Sequence, residues 1–552
     1  GMGLDRWLAR CFGPGMLALV AIVASVGAQR PLHESEFHDR QHTPSECDAR
    51  MAKELGRAHE GFDVLVAMML FGSILFSLSL LYMVNYRDAD VRAFSFNMIN
   101  TTITIFSAVV IMKVVNELGV SLFIPEDEVL RRDTGKIIVG VVFSVLFLSL
   151  VNLGCFETRK RTMCLYAIKS LGAHLYAFAG IAVFAPIASR HTSVGHCLLV
   201  FLAALLSQFV MLAISACCRS HLSKQEGNSE DGLLMTASGH PAWHEAAREA
   251  EDEGASLVLS LLANMTICLG LTGEMIPYEP EAHADPAFVA EGIAGMTWWL
   301  LAFAVSVCVT TVVRSADVVH GAWEHVLDVF HLFLAMSLSW AMLRIGVDQV
   351  LKVFQRHPVI GFLSHALTMS VVCSILLILI DAVADHLIFK AEAVVATGVE
   401  SKPMEPIEPA SGQEGSRAPL RHKKRRSLRQ AARAHRTREQ ALRAIIGALG
   451  VVIGLSWEMV FESASSTLAE IGTRAGHDIF TARWLRKELF KGVFGVALAL
   501  GIVLPAWLRF IVPKARMSER EHQAAIEQEA ALIQHLFRHD GKWPLCSRAC
   551  NV

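Results

Sequence analysis

Histidines and carboxylates one helical turn apart, set in stretches otherwise too apolar to hold a charge, are the residues of this chain with chemistry to offer. Glu324, Asp328 and His331 are spaced by four and three, so they stack on one face of a helix. Histidine titrates near neutral pH, and a carboxylate one turn away could hold or pass its proton. A proton relay through Asp328, His331 and Glu458, or through His174, is what this pattern suggests. A set of fixed hydrogen bonds and ion pairs between helices is the plainer alternative. Lys169 shares the segment of His174, and Asp381, Asp385 and His386 close another.

A second group gathers towards the ends of apolar stretches. Glu458 and Glu462 are four apart and would repel unless a cation or a partner joins them, whereas Lys113 and Glu117 at the same spacing can pair locally. Together with Glu274 they would form an acidic mouth able to collect cations. The alternative is that they mark where helices reach lipid headgroups. Soluble catalytic signatures are missing: there is no His-Glu-x-x-His, no phosphate-cradling glycine loop and no Gly-x-Ser-x-Gly. No enzyme activity, cofactor or metal is expected. Most of the 12 cysteines fall inside apolar runs, where they act as small apolar residues.

The elements that must position these residues are long and apolar. The 552 residues are 53% hydrophobic and 18% charged, with a mean hydropathy of +0.43. A helix that crosses a bilayer needs about 20 mostly apolar residues, and about eleven such stretches recur here. They lie at 62–84, 93–117, 136–156, 165–188, 195–217, 256–276, 292–313, 322–344, 359–387, 441–463 and 489–511. The expected fold is an all-α polytopic transmembrane bundle. The net charge of −2 offers nothing for nucleic acid.

The first 28 residues resemble a secretory signal: Arg6 and Arg10 precede an apolar run ending in Val26-Gly27-Ala28. A short extra helix is the other reading. Both leave 29–60 on the non-cytosolic side. Basic residues in short loops set orientation. Arg159-Lys160-Arg161, the block around Arg421 to Arg438, and Lys514 with Arg516 fall on one side, which puts the C-terminus in the cytosol. The chain then divides into spans at 61–218, a cytosolic loop at 219–254, spans at 255–390, a cytosolic loop at 391–440, spans at 441–513 and a tail at 514–552. Within 219–254, Trp243-His244-Glu245 and the acidic run to Glu253 predict a short surface helix. The 391–440 loop opens as a disordered linker. Its basic residues Arg421, Lys423, Lys424, Arg425 and Arg426 suit anionic lipids, and Ser427 has the spacing a basophilic kinase accepts. Ser518-Glu519-Arg520-Glu521 predicts the start of an amphipathic tail helix.

One short string recurs: Gly270-Leu271-Thr272-Gly273-Glu274-Met275, Ser337-Leu338-Ser339-Trp340-Ala341-Met342 and Gly454-Leu455-Ser456-Trp457-Glu458-Met459. All three sit on helices of one orientation, so a helix hairpin repeated in parallel would explain them. Small residues also serve plain helix packing. The functional expectation is a channel or secondary transporter for a cation or proton, inserted by the secretory route. The competing expectation is a non-transporting scaffold or sensor that recruits partners through the basic loop and the C-terminal helix. A homo-oligomer is compatible with either.

Overall fold

The computed structural model describes residues 80–123, 129–190, 193–226, 242–273, 287–315, 322–353, 358–400, 441–467 and 492–518, with a few flanking positions. All its regular elements are helices, and no strand occurs among the described residues. We number them α1 (Ala89–Phe123), α2 (Val129–Glu157), α3 (Thr162–Ser189), α4 (Val194–Glu226), α5 (Ala242–Thr272), α6 (Ala287–Ser315), α7 (Ala322–Val353) and α8 (Pro358–Glu400). Two more follow, α9 (Ala441–Thr467) and α10 (Gly492–Ser518). Nine of these are long and apolar enough to cross a bilayer, and α6 contributes a shorter apolar stretch, Ala294–Thr310. They coincide with the expected stretches from 93–117 onwards, while the stretch at 62–84 lies almost wholly outside the described residues.

Hydroxyl groups inside these apolar helices bond their own backbone. Ser144, Ser189 and Thr266 each donate to the carbonyl one turn back, at 2.8 Å. That gives each hydroxyl a partner within its own helix. α10 departs from regular geometry. π-helical turns at Ala499–Val503 and Trp507–Ile511 flank the segment holding Pro505, whose ring nitrogen cannot donate to the helix ladder.

The odd-numbered helices form an inner ring in which neighbours run the same way. Gly254 of α5 lies against Ala173 and Tyr176 of α3, and Gly180 lies against Val258. Asp252 meets His325 of α7, and Asn264 meets Ser337. Ser339 donates to the Ala448 carbonyl of α9 at 2.8 Å, and further along Val347 packs with Met459. Gly450 lies against Thr101 of α1, and Glu458 reaches Lys113. Asn100 closes the ring by donating to Ser170 of α3 at 2.8 Å.

Burial separates this ring from the even-numbered helices outside it. In the most apolar stretch of α1, α3, α5 and α9, 61–78% of residues are buried, against 22–33% in α2, α4, α8 and α10, with inner α7 between them at 39%. One apolar cluster takes side chains from all five inner helices, among them Ile105, Ala177, Leu257, Met336 and Val451. Close crossings need glycine. A Cβ on Gly254 would sit 2.9 Å from the Ala173 carbonyl, and one on Gly454 would sit 3.0 Å from the Thr102 carbonyl. Both contacts are backbone, which cannot step aside. By contrast Gly270, its counterpart in the recurring string, has nothing within 4 Å.

Two local expectations change. The acidic run at 249–253 belongs to no separate surface helix: α5 starts at Ala242 and continues unbroken through it, with Trp243 buried beside Phe156. Ser518 likewise is no cap before a new helix, because it is itself a helical residue at the end of α10. A helix already under way has its early N–H groups satisfied, so a cap has nothing to do there.

Candidate functional site

Four carboxylates fall within five residues of α5: Glu249, Glu251, Asp252 and Glu253. At 3.6 residues per turn they point to different sides of the helix. Only a helix with neighbours all round can pair them, and α5 is such a helix. Glu249 accepts from the Lys169 ammonium of α3. Glu251 accepts from the Arg219 guanidinium and the Ser215 hydroxyl of α4, and from the Asn152 amide of α2 at 3.0 Å. Asp252 lies 3.4 Å from Nε2 of His325 on α7. Glu253 lies 3.5 Å from Nε2 of His174 on α3.

The innermost member is the Arg219–Glu251 pair, 4% and 1% exposed. Arg219 also donates to Ser215 at 3.0 Å, and lies 3.3 Å from the Asn152 carbonyl oxygen. A buried ion pair needs hydrogen bonds to both partners, and here Asn152 and Ser215 serve both ions, while Nε of Arg219 has no partner among the described residues. One turn along, the Tyr176 hydroxyl donates to Gln208 of α4. Thus α2, α3, α4 and α7 are all tied to one short stretch of α5.

His174 is buried, and its Nδ1 faces the Ser170 carbonyl at 2.8 Å. A carbonyl only accepts, so Nδ1 carries a proton and Nε2 is the atom turned towards Glu253. His331 is fixed by different means. Thr310 donates its own proton to Ser306 at 2.7 Å, which leaves its oxygen to accept from His331 Nε2 at 3.2 Å. His365 repeats that arrangement on α8: Ser456 donates to Val452 at 2.7 Å and faces His365 Nε2 at 3.3 Å. Gly346 makes room for this ring, since a Cβ there would stand 2.3 Å from it.

A second charged cluster lies at the far end of the ring. Lys113 of α1 sits between Glu458 and Glu462 of α9, 2.6 Å from the former and in contact with the latter. The cation that these two carboxylates require therefore comes from another helix. Lys113 is accordingly engaged across the ring rather than only within α1. Glu458 is 7% exposed at its side chain and Glu462 46%, so the cluster grades from buried to open.

The expected relay from Asp328 through His331 to Glu458 is not continuous. The Ser339–Ala448 contact sets the register of α7 against α9. His331 lies before it and Glu458 beyond it, roughly 25 Å apart along the axes at 1.5 Å per residue. The apolar cluster of the inner ring fills that interval. Asp328 is half-buried near the His331 end, while His174 pairs towards Glu253. Glu274, Ser427 and the basic residues Arg421, Lys423, Lys424, Arg425 and Arg426 lie outside the described residues, as do the side chains of Glu117, Glu324, Asp385 and His386.

Sequence reasoning missed Arg219, Glu251, Asn152, Gln208 and His365. Arg219 and the acidic run could have been noticed as opposite charges flanking one loop. His365 has no ionisable neighbour one turn away, so nothing in the sequence singles it out. Among the described residues no group of three or more histidine, cysteine or acidic side chains could hold a metal ion. No family model, no curated protein and no solved structure matches this chain.

Proposed function

We propose that this chain is a multi-pass integral membrane protein that works as a scaffold or sensor, without carrying cargo and without catalysis. One observation carries this reading: the charged side chains of the α5 and Lys113 clusters pair with one another at the two ends of the inner ring, His331 and His365 are held by hydroxyl groups, and an apolar cluster lies between the two ends. A conduit needs polar groups reaching mid-membrane. A scaffold needs those groups mutually satisfied. Recruitment then falls to the basic segment before α9 and to the tail after α10, with anionic lipid at Arg421 to Arg426 and phosphorylation at Ser427 as regulators. The chain enters by the secretory route, spans about eleven times, and keeps its C-terminus in the cytosol.

Parallel hairpin repeats fit the alternation of inner and outer helices. Two polar clasps support them. Trp507 of α10 donates to Asn100, whose amide bonds Ser170. Trp299 of α6 donates to Asn264, whose amide bonds the Ser337 carbonyl. In each, an outer tryptophan holds an inner asparagine against the next inner helix.

A cation or proton transporter remains the second reading, because two carboxylates converge on the ammonium of Lys113 in a cluster that grades from buried to exposed. Purified protein in liposomes, loaded with a pH-sensitive or potassium-sensitive dye, separates the two. The scaffold reading expects flux equal to that of empty liposomes. Flux abolished by Glu458→Gln or His331→Ala would replace it with transport.

A further inference from the structure

Two thiols on α4 take no part in its packing. Its bundle-facing stripe consists of Cys197, Val200, Ala204, Gln208, Ser215 and Arg219, all buried. At about 100° per residue, Cys217 points away from the face that carries Ser215 and Arg219, and Cys218 lies on its flank. Both are free and exposed.

Their depth is set by what lies on either side. The exposed apolar surface of α4 runs from Val194 to Ile214 and stops just before the pair, and exposed Ser220 and His221 follow it. On adjacent α2, Asn152 donates to Ser215 at 2.7 Å and so levels the two helices. α2 and α4 both run antiparallel to α3, to which short turns join them. The turn Arg159-Lys160-Arg161 therefore lies at the same end, roughly 8 Å beyond the thiols along the axis. Lys160 and Arg161 are exposed there. The pair thus stands where an apolar surface gives way to a basic one, the position of the boundary between acyl chains and anionic headgroups.

We propose that Cys217 and Cys218 form an S-acylation site that carries long-chain fatty acyl groups as thioesters. The site rests on the membrane orientation proposed above, which puts this end of α4 at the cytosolic leaflet. The donor is a long-chain acyl-coenzyme A. The cysteine thiolate adds to its thioester carbonyl, the bond from that carbon to the coenzyme A sulfur breaks, and coenzyme A leaves as a thiolate. It takes up the proton the cysteine gave up, so no electron changes hands. The attached chain then lies along the exposed apolar face of α4. The other described cysteines are placed differently: Cys155, Cys164, Cys197 and Cys373 are buried, Cys268 is half-buried, and Cys308 is exposed between Val305 and Val309, within an apolar band.

The test uses the full chain in eukaryotic cells fed an alkynyl fatty acid, with hydroxylamine sensitivity reporting a thioester. Wild type is expected to label, Cys217→Ser and Cys218→Ser each to keep part of the label, and the double variant to fall to the level of untransfected membranes. Cys308→Ser should label like wild type. Carbonate-resistant sedimentation and an unchanged gel-filtration profile are measured on every variant. Release of the wild type by carbonate would overturn the membrane reading and this site with it. A wild type that stays in membranes yet carries no hydroxylamine-sensitive label, or a double variant that keeps it, would overturn the acylation alone.

Discussion

The cluster around α5 and the cluster around Lys113 sit at opposite ends of the same five inner helices, yet they balance charge differently. At the α5 end each carboxylate has its own partner, and those partners come from α3, α4 and α7. At the far end two carboxylates of one helix share one ammonium of another. The first arrangement binds several helices together and leaves its central pair almost fully buried. The second joins α1 to α9, and its Glu462 is half-exposed. Removing a charge should therefore be a matter of assembly at one end and of local repulsion at the other.

The largest effect is expected at Arg219. Breaking a buried ion pair from one side costs about 3–5 kcal/mol, because the remaining charge is left unpaired. Arg219→Ala or Glu251→Ala should abolish the monodisperse peak in detergent gel filtration or lower the melting temperature sharply. The double change Arg219→Met with Glu251→Leu should restore most of the stability, since apolar replacements of similar volume remove both ions at once. A double variant as unstable as the singles would mean that the hydrogen bonds of Asn152 and Ser215, rather than the charge pair, hold this end together.

A smaller and pH-dependent effect is expected at Lys113. Lys113→Met removes the ammonium that Glu458 and Glu462 both contact. Like charges one turn apart repel, and protonating either carboxylate ends the repulsion. Melting curves of this variant should lie below wild type at neutral pH and approach it as pH falls through the carboxylate range. Equal loss at every pH would point to lost packing of the lysine stem instead of repulsion.

The helices themselves were legible because a run of apolar residues long enough to cross a bilayer cannot be mistaken for much else. The division into inner and outer helices was not. A helix facing lipid and one facing other helices are both apolar all round, so periodicity carries little information about which is which. The α5 cluster escaped for a related reason. Hydropathy placed Arg219 and Glu249 to Glu253 in a loop, since each partner is remote in sequence and the charges look solvated until the helices close round them. Glu458 and Glu462 were more legible: their spacing alone demanded a cation, although not the identity of Lys113. His365 gave no sign at all, since its hydroxyl partner Ser456 lies on another helix.

The smallest effect completes the comparison at the α5 end itself. Glu249 belongs to the same acidic stretch as Glu251, but its side chain and that of its partner Lys169 are 47% and 26% exposed. A pair open to that degree contributes only about 0–1 kcal/mol, because mobile charge around it screens the attraction. Lys169→Ala should therefore shift the melting temperature little, and should do so less at high salt than at low salt. Arg219→Ala, measured beside it, should be insensitive to salt, since screening ions do not enter a buried pair. If Lys169→Ala proves as damaging as Arg219→Ala, then the acidic stretch acts as one coupled unit, and burial no longer ranks its members.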